Sequence, residues 1–263
     1  MTKFIDTHAH YLHRLFNKDR EELIQHLLEN HVEAIVECGT NTFHNARAIE
    51  YCEKHENIYA TIGYFPTDTE ELEKDPELIK TLERQLQHEK VLGLGEIGLD
   101  YHHPGNPKTQ KKWFIEQLKL AKKLNMPVCI HSREAEKDTL DILKNNGPWK
   151  GVIHCYAYGK KTMEELVKLG YYFGVGGTCT YSNNKELREA VKYMPLDRIV
   201  LETDCPYLTP SAYGKKRNDS AKISAVISEI AKMKGITEEE VIQQTNENAK
   251  NVYQKLNKKE MAN

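Results

Sequence analysis

The stretch Phe4-Ile5-Asp6-Thr7-His8-Ala9-His10 opens the chain with a short apolar segment of strand type that ends in two histidines. An open, doubly wound α/β sheet normally carries a glycine-rich phosphate loop at this place, directly after its first strand. Here the first strand ends in His-Ala-His instead, and no Walker loop occurs anywhere in the 263 residues. The opening stretch therefore favours a closed barrel over an open sheet.

Short, β-branched apolar runs alternate with charged stretches of helical period along the whole chain. We predict strands at 4–8, 33–38, 58–63, 91–96, 128–131, 151–154, 171–175 and 199–203. We predict helices at 19–30, 41–55, 69–88, after Pro107, and at 134–145, 160–169, 185–193 and 219–234. Thr237, with Glu240 three residues on, is a capping-box signature and begins a last helix. Eight strand–helix units of this length predict an α/β protein, a (β/α)8 TIM barrel with an added C-terminal helix. With no linker or repeat in the sequence, we expect a single domain over residues 1–263.

Composition excludes several classes of protein. The chain has 37 Lys and Arg against 39 Asp and Glu, a formal net charge of −2, which argues against a protein that coats nucleic acid by charge alone. No apolar run approaches the roughly 18 residues of a membrane helix. No secretory signal is visible at the N-terminus, and the six cysteines form no C-x-x-C pair. These features predict a cytoplasmic protein with free thiols.

Potential metal ligands stand at or just after the ends of the predicted strands. They number six and come from five strands: His8, His10, Glu96, His131, His154 and Asp204. Each one alone would be explained as a buried histidine with its hydrogen bonds made, or as a helix cap. In a TIM barrel, however, the carboxyl ends of the strands form the face on which active sites are built. Together the six residues predict a metal site there.

The number of candidate ligands bears on the number of ions. Four imidazoles and two carboxylates exceed the three protein ligands of a typical single catalytic zinc. They suit two divalent ions bridged by a carboxylate. A set of nitrogen and oxygen ligands without thiolate is compatible with Zn, Mn, Fe or Mg.

Several of these segments together resemble the TatD family over nearly the whole chain. The matching runs are 5–10 (IDTHAH), 95–101 (GEIGLDY), 127–133 (PVCIHSR), 154–156 (HCY), 201–207 (LETDCPY) and 248–253 (NAKNVY). The resemblance implies a TIM barrel of the metal-dependent hydrolase superfamily and a divalent-metal deoxyribonuclease. It implies that His8, His10 and Asp204 hold one metal, that His131 and His154 hold the second, and that Glu96 bridges the two.

Two segments depart from the family pattern. The family commonly has Gly-x-His-Pro after the third strand, whereas this chain reads Gly63-Tyr64-Phe65-Pro66. The family's Arg-x-Asn-x-Pro segment stands here as Arg217-Asn218-Asp219-Ser220. Both changes bear on substrate preference more than on metal binding.

The predicted activity is hydrolysis of phosphodiester bonds by a metal-activated water. Asp204 and Glu96 are the predicted catalytic residues, with Asp204 acting as both ligand and general base. We expect Arg133 and Arg217 to contact substrate phosphates. The expected substrate is DNA, single-stranded or at its ends, with no membrane partner.

Two other functions fit the same residues. A metal-dependent amidohydrolase or esterase would use the same activated water on a small molecule or an aminoacyl ester, and Phe65 leaves room for it. A non-catalytic, metal-dependent scaffold would keep the site without turnover. Comparing rates on single-stranded DNA and on carboxyl esters separates the two enzymes.

Overall fold

The computed structural model describes residues 2–148 and 150–259 and contains one parallel sheet with its strands in sequential order. The strands are β1 Phe4–Ala9, β2 Val32–Cys38, β3 Ile58–Ile62, β4 Val91–Asp100, β5 Val128–Arg133, β6 Gly151–Ile153, β7 Tyr172–Val175 and β8 Ile199–Leu201. The Thr7 hydroxyl donates to the carbonyl of Leu201 at 2.9 Å, and Ala9 forms a bridge with Cys205. β1 therefore lies beside β8, and the predicted (β/α)8 barrel is confirmed.

Helices connect the strands and surround the barrel. They are α1 Arg20–Asn30, α2 Thr42–Glu53, α3 Thr69–Lys74, α4 Leu78–Gln85, α5 Pro107–Leu124, α6 Glu136–Asn146, α7 Lys160–Lys168, α8 Lys185–Tyr193, α9 Ile223–Lys234 and α10 Glu238–Val252. Thr237 caps α10 through the predicted box with Glu240. Among the described residues, no helix has the length and apolar character needed to cross a membrane.

The prediction of one helix over residues 69–88 is wrong, because the segment forms two helices, α3 and α4. The break falls at Asp75-Pro76. Proline has no N–H to donate within a helix and disfavours helical geometry in the residue before it. Asp75 accordingly lies outside the helical region, at φ −136° and ψ 87°.

The expectation that the fourth strand ends at Glu96 is also wrong, since β4 continues to Asp100. Its last residues pair with β5, Gly98 with His131 and Asp100 with Arg133. Gly98 has φ +143°, and a Cβ there would lie 1.9 Å from the carbonyl oxygen of His131. Only glycine fits this close approach, so Gly98 allows β4 to extend past the site.

The C-terminal helix α10 covers the bottom of the barrel. A buried cluster joins strand residues such as Val36 and Leu92 to Val252 and Tyr253 at the end of α10. Asparagine side chains of α10 also bind backbone at and just before the starts of β1 and β8. The Asn246 amide donates to the carbonyl of Lys3 at 2.8 Å, and the Asn248 amide donates to the carbonyls of Leu196 and Ile199 at 2.8 and 2.7 Å.

Replacing Asn248 by alanine tests how far α10 stabilises the barrel. The substitution leaves two carbonyls without their donor, and a buried polar group that loses its partner costs about 1–3 kcal/mol of unfolding free energy. Urea denaturation should show this loss for Asn248→Ala. The matched control is Asn251→Ala on the exposed side of the same helix, with a change within about 0.5 kcal/mol. Equal midpoints for the two variants would contradict the anchoring role.

Candidate metal centre

The six predicted ligands meet at the carboxyl end of the barrel. β1 directs His8 and His10 to the same side, and their Nε2 atoms lie 3.1 Å apart. Asp204 follows β8 in a turn with φ +55°. Its Oδ1 lies 3.3 Å from His10 Nε2 and 3.7 Å from His8 Nε2. These three residues form one group of possible metal ligands.

Glu96 lies between this group and the second pair of histidines. Its Oε2 is 3.5 Å from His8 Nε2, whereas its Oε1 is 2.8 Å from His131 Nδ1 and 3.8 Å from His154 Nε2. The two oxygens of one carboxylate thus face different sets of imidazoles. Within the described chain, His8, His10 and Asp204 form one possible metal-binding group, and Glu96, His131 and His154 form another. Nitrogen and carboxylate donors at this spacing fit divalent cations.

Charge at the site is balanced by mutual contact, because the side chains of the six residues are at most 19% exposed. Burial alone would raise the pKa of the Glu96 carboxyl, but hydrogen bonds with His131 and His8 hold that pKa well below its usual range. Burial opposes protonation of His10, yet hydrogen bonding to Asp204 raises the pKa of His10 to about 9. Divalent ions bind neutral imidazole, so metal binding would replace these protons.

Two buried acidic residues behind the site are functional candidates that sequence reasoning missed. Asp100 Oδ2 accepts from His131 Nε2 at 2.9 Å, and Glu202 Oε2 lies 3.1 Å from His154 Nδ1. Both carboxylates are almost completely buried. A carboxylate on the outer nitrogen of a histidine ligand fixes the orientation of the ring and raises its basicity. The available sequence signal was an acidic residue inside an apolar strand run, as in Val200-Leu201-Glu202.

The absence of a side chain at Gly174 leaves room for the carboxylate of Glu202. A Cβ at position 174, where the chain has glycine, would lie 1.9 Å from Glu202 Oε2. The other oxygen, Oε1, accepts the backbone N–H of Cys155 at 2.6 Å. The Glu202 carboxylate is thus fixed between Gly174 and the backbone of Cys155, and its contact with His154 fixes the orientation of that ring. Burial and Glu202 have opposite effects on the pKa of His154, and the net result is a rise to about 10.

Two thiols also approach the site. Cys129 Sγ is 3.3 Å from His8 Nδ1, and Cys38 Sγ is 4.0 Å from Glu96 Oε2. Burial, followed by the charge of Glu96, raises the pKa of both thiols well above the usual value. They are therefore neutral groups in this structure, and Cys129 contacts the outer nitrogen of His8, as the carboxylates contact the outer nitrogens of the other histidines. All six cysteines are free thiols.

The residues predicted to contact substrate have different surroundings. Arg133 ends β5, two residues after His131, and is exposed at the mouth of the barrel. Arg217 donates to both carboxylate oxygens of Asp19, at 2.8 and 2.6 Å, and to the carbonyl of Leu15. It therefore connects the loops after β8 and β1. The substrate roles of both arginines stay predictions.

Phe65, at the position where the TatD pattern has histidine, lies against the second group of donors. Its ring centroid is 4.7 Å from that of His131, in an edge-on arrangement. The backbone N–H of Phe65 donates to the carbonyl of Thr40 at 2.8 Å, which fixes the loop after β3 to the loop after β2. The wall beside His131 is therefore apolar.

Known proteins resemble this chain over nearly its whole length. A family model described as TatD related DNase matches residues 5–254. The uncharacterized metal-dependent hydrolase YabD of Bacillus subtilis is 40% identical over 252 residues, covering 94% of this chain and 98% of YabD. The crystal structure of YjjV, a TatD homologue of Escherichia coli, has 31% identity and a TM-score of 0.86, covering 95% of this chain and 98% of YjjV. A TatD family hydrolase of Entamoeba histolytica has 25% identity and a TM-score of 0.86, covering 96% of this chain and 98% of that structure.

Glu202→Gln tests the support of His154. Removing the charge beside the outer imidazole nitrogen should weaken metal affinity about 10–100-fold, because such partners orient and polarise the ligand. Competition with a chromogenic chelator measures the affinity. Glu229→Gln is the control: the Glu229 side chain is only 21% exposed, and its carboxylate pairs with Arg188 on a neighbouring helix, away from the metal centre. Equal losses in the two variants would contradict a specific role for Glu202.

Proposed function

We propose that this chain, which belongs to the TatD family of metal-dependent hydrolases, is a deoxyribonuclease that cleaves phosphodiester bonds with two divalent metal ions. Membership of the family rests on a match over residues 5–254 and on relatives such as YabD. The DNase activity comes from the description of that family. The observation that best supports it in this chain is the pair of donor groups that share Glu96 at the barrel mouth.

The proposed ions differ in their protein ligands. We assign His8, His10 and Asp204 to one ion, His131 and His154 to the second, and Glu96 to both. The opposed distances from the two Glu96 oxygens support this assignment. The four imidazoles favour Zn, Fe or Mn over Mg, because Mg²⁺ prefers oxygen ligands.

The two carboxylates of the site differ in their access to solvent. The side chain of Asp204 is 19% exposed, whereas that of Glu96 is only 4% exposed. Bound divalent ions would supply the Lewis acidity that lowers the pKa of a water and stabilises charge on the phosphate. Asp204, which faces the mouth, is then placed to take the proton of the attacking water and to return it to the leaving oxygen. Glu96, the proposed ligand of both ions, connects the two groups of ligands.

Arg133 is our proposed phosphate contact. His131 and Arg133 are two residues apart on β5, so their side chains leave the strand on the same side. A guanidinium beside the metal centre can bind a phosphate through two parallel hydrogen bonds. A phosphate at Arg217 would have to compete with Asp19, whose carboxylate already accepts two hydrogen bonds from it.

Hydrolysis of a small ester or amide is the second candidate function. The apolar ring of Phe65 beside His131 favours it, because this ring can pack against an acyl group but cannot hydrogen-bond a phosphate. The nuclease and the ester or amide hydrolase would use the same metal ligands and would differ in their substrate.

We also propose a cytoplasmic location and a single domain over residues 1–263. Six free cysteines, five of them buried, suit a reducing compartment. The continuous barrel and the packing of α10 onto its strands support one domain for the described residues.

The direct test combines metal analysis with two substrate assays. Purified protein, with its metal content measured, should degrade a labelled single-stranded oligonucleotide, should lose this activity with chelator, and should hydrolyse a panel of carboxyl esters slowly. Fast ester hydrolysis without DNA cleavage would support the second candidate instead. Full nuclease activity in a Glu96→Ala, His131→Ala double variant would refute the two-ion site.

Asp204→Asn tests the proposed general base. Asparagine keeps an oxygen donor but cannot take a proton at neutral pH, so kcat should fall about 10²–10⁴-fold, the usual contribution of general acid–base catalysis. Metal content, measured by elemental analysis, should fall much less than the rate. Asp197→Asn, at an exposed residue before β8, is the control and should leave kcat unchanged. An unchanged kcat in Asp204→Asn would exclude Asp204 as the base.

A further inference from the structure

An exposed histidine outside the two groups of possible ligands is joined to the metal centre by one buried carboxylate. His103 lies in the loop after β4, and 49% of its side chain is exposed. Its Nδ1 is 2.9 Å from Asp100 Oδ2, and the same oxygen is 2.9 Å from His131 Nε2. His131 presents its other nitrogen, Nδ1, to Glu96 Oε1 at 2.8 Å. Three contacts in a row therefore lead from the surface of the loop to Glu96, the proposed ligand of both ions.

The backbone of Asp100 and one of its carboxylate oxygens are fixed without the ring of His103. Gln110 of α5 accepts the backbone N–H of Asp100 with its Oε1 and donates from its Nε2 to the Asp100 carbonyl, both at 2.9 Å. The backbone N–H groups of His102 and His103 donate to Asp100 Oδ1 at 3.0 and 2.8 Å. The direction of the other oxygen, Oδ2, therefore depends on the two imidazoles that contact it.

The carboxylate of Asp100 requires all of these donors, because it is completely buried. Burial alone would raise the pKa of Asp100, but hydrogen bonds from His131 and His103 hold that pKa below its usual range. An ionised carboxylate accepts hydrogen bonds and donates none, and its two oxygens offer about four acceptor positions. Two backbone N–H groups and two ring nitrogens fill these positions. Removing the ring of His103 takes one donor away from a buried charge, which is unfavourable.

The contact with Asp100 also decides which nitrogen of His131 can bind an ion. A histidine ligand is neutral, so one of its nitrogens carries a proton and the other offers a lone pair. Because Asp100 only accepts, the proton of His131 lies on Nε2, and Nδ1 is directed toward Glu96. His154 has the corresponding partner in Glu202, whose other oxygen accepts a backbone N–H. The carboxylate behind His131 differs in that it shares one oxygen with a second, exposed imidazole.

We propose that His103 is a positioning residue for the second ion: its Nδ1–H fixes Asp100 Oδ2, and Asp100 in turn fixes the ring of His131. The inference rests on the proposed two-ion site and adds to it a residue that is not itself a ligand. A carboxylate that turns away from His131 leaves that ring free to rotate and weakens its bond to the ion. The first ion, assigned to the ligands of β1 and β8, should depend on His103 much less than the second.

Leucine and asparagine at position 103 test this role as a matched pair, because both side chains branch at Cγ. The asparagine Nδ2 stands in for the ring Nδ1 as a donor, whereas leucine has no donor. His103→Leu should weaken one of the two bound Zn²⁺ ions about 10-fold, the lower end of the range for partners of a metal ligand. His103→Asn should bind both ions as wild type does. Titration of the metal-free, full-length protein with Zn²⁺, in competition with a chromogenic chelator, measures the affinities.

His102→Leu is the control. The side chain of His102 is 45% exposed, and its Nδ1 lies 2.7 Å from Glu134 Oε1 instead of Asp100. The substitution keeps the backbone N–H that donates to Asp100 and should leave both Zn²⁺ affinities unchanged. Co²⁺ in place of Zn²⁺ gives a second readout, because its visible absorption reports the geometry of the ligands. The spectrum should change in His103→Leu and return in His103→Asn, which a general loss of stability would not produce.

Equal Zn²⁺ affinities in His103→Leu and wild type would overturn the positioning role. Equal losses in His102→Leu, or a loss in His103→Asn as large as in His103→Leu, would overturn it as well. If circular dichroism shows that His103→Leu does not fold, His103→Asp replaces it and should weaken the same ion, since a second carboxylate cannot donate to Asp100. Two bound ions with the expected pattern but no DNA cleavage would refute only the nuclease function. A wild type that binds a single Zn²⁺ would refute the two-ion site and the role of His103 together.

Discussion

The burial of the Glu96 carboxylate among imidazoles at the barrel mouth is the constraint on which the site depends. A buried charge without partners is strongly unfavourable, whereas one compensated from two sides can be kept. Glu96 is 3% exposed and contacts His131 with one oxygen and His8 with the other. The barrel makes this possible because its parallel strands bring their carboxyl ends to one ring. The same geometry divides the six residues into two groups of possible metal ligands.

A second layer of buried groups gives the ligands fixed orientations. Asp100 lies behind His131, Glu202 behind His154, and the Cys129 thiol beside His8. These contacts depend on backbone features nearby: β4 must pass Glu96 to deliver Asp100, and Gly174 must lack a Cβ to admit Glu202. The metal centre therefore depends on residues within the strands as well as on the residues at their carboxyl ends.

The loops above the site account for differences between this chain and the family pattern. Phe65 makes the wall beside His131 apolar, and Arg217 joins two loops through Asp19. Asn218, from the segment that departs from Arg-x-Asn-x-Pro, holds the backbone of Tyr207. The departures thus fall in the loops that shape the approach of substrate, while the ligand groups beneath them are complete.

The sequence by itself determined the barrel, all eight strands and the six candidate ligands. It could do so because alternating strand and helix periods admit few topologies, and because polar residues at the ends of apolar strands converge on one face. The prediction of one helix over residues 69–88 missed the break before Pro76 that divides α3 from α4. Tertiary structure alone decided that Asp100 and Glu202 support histidines and that Arg217 pairs with Asp19, almost 200 positions earlier in the chain. Such contacts join residues far apart in the sequence, and the arrangement of the strands in the closed barrel, not any local propensity, brings them together.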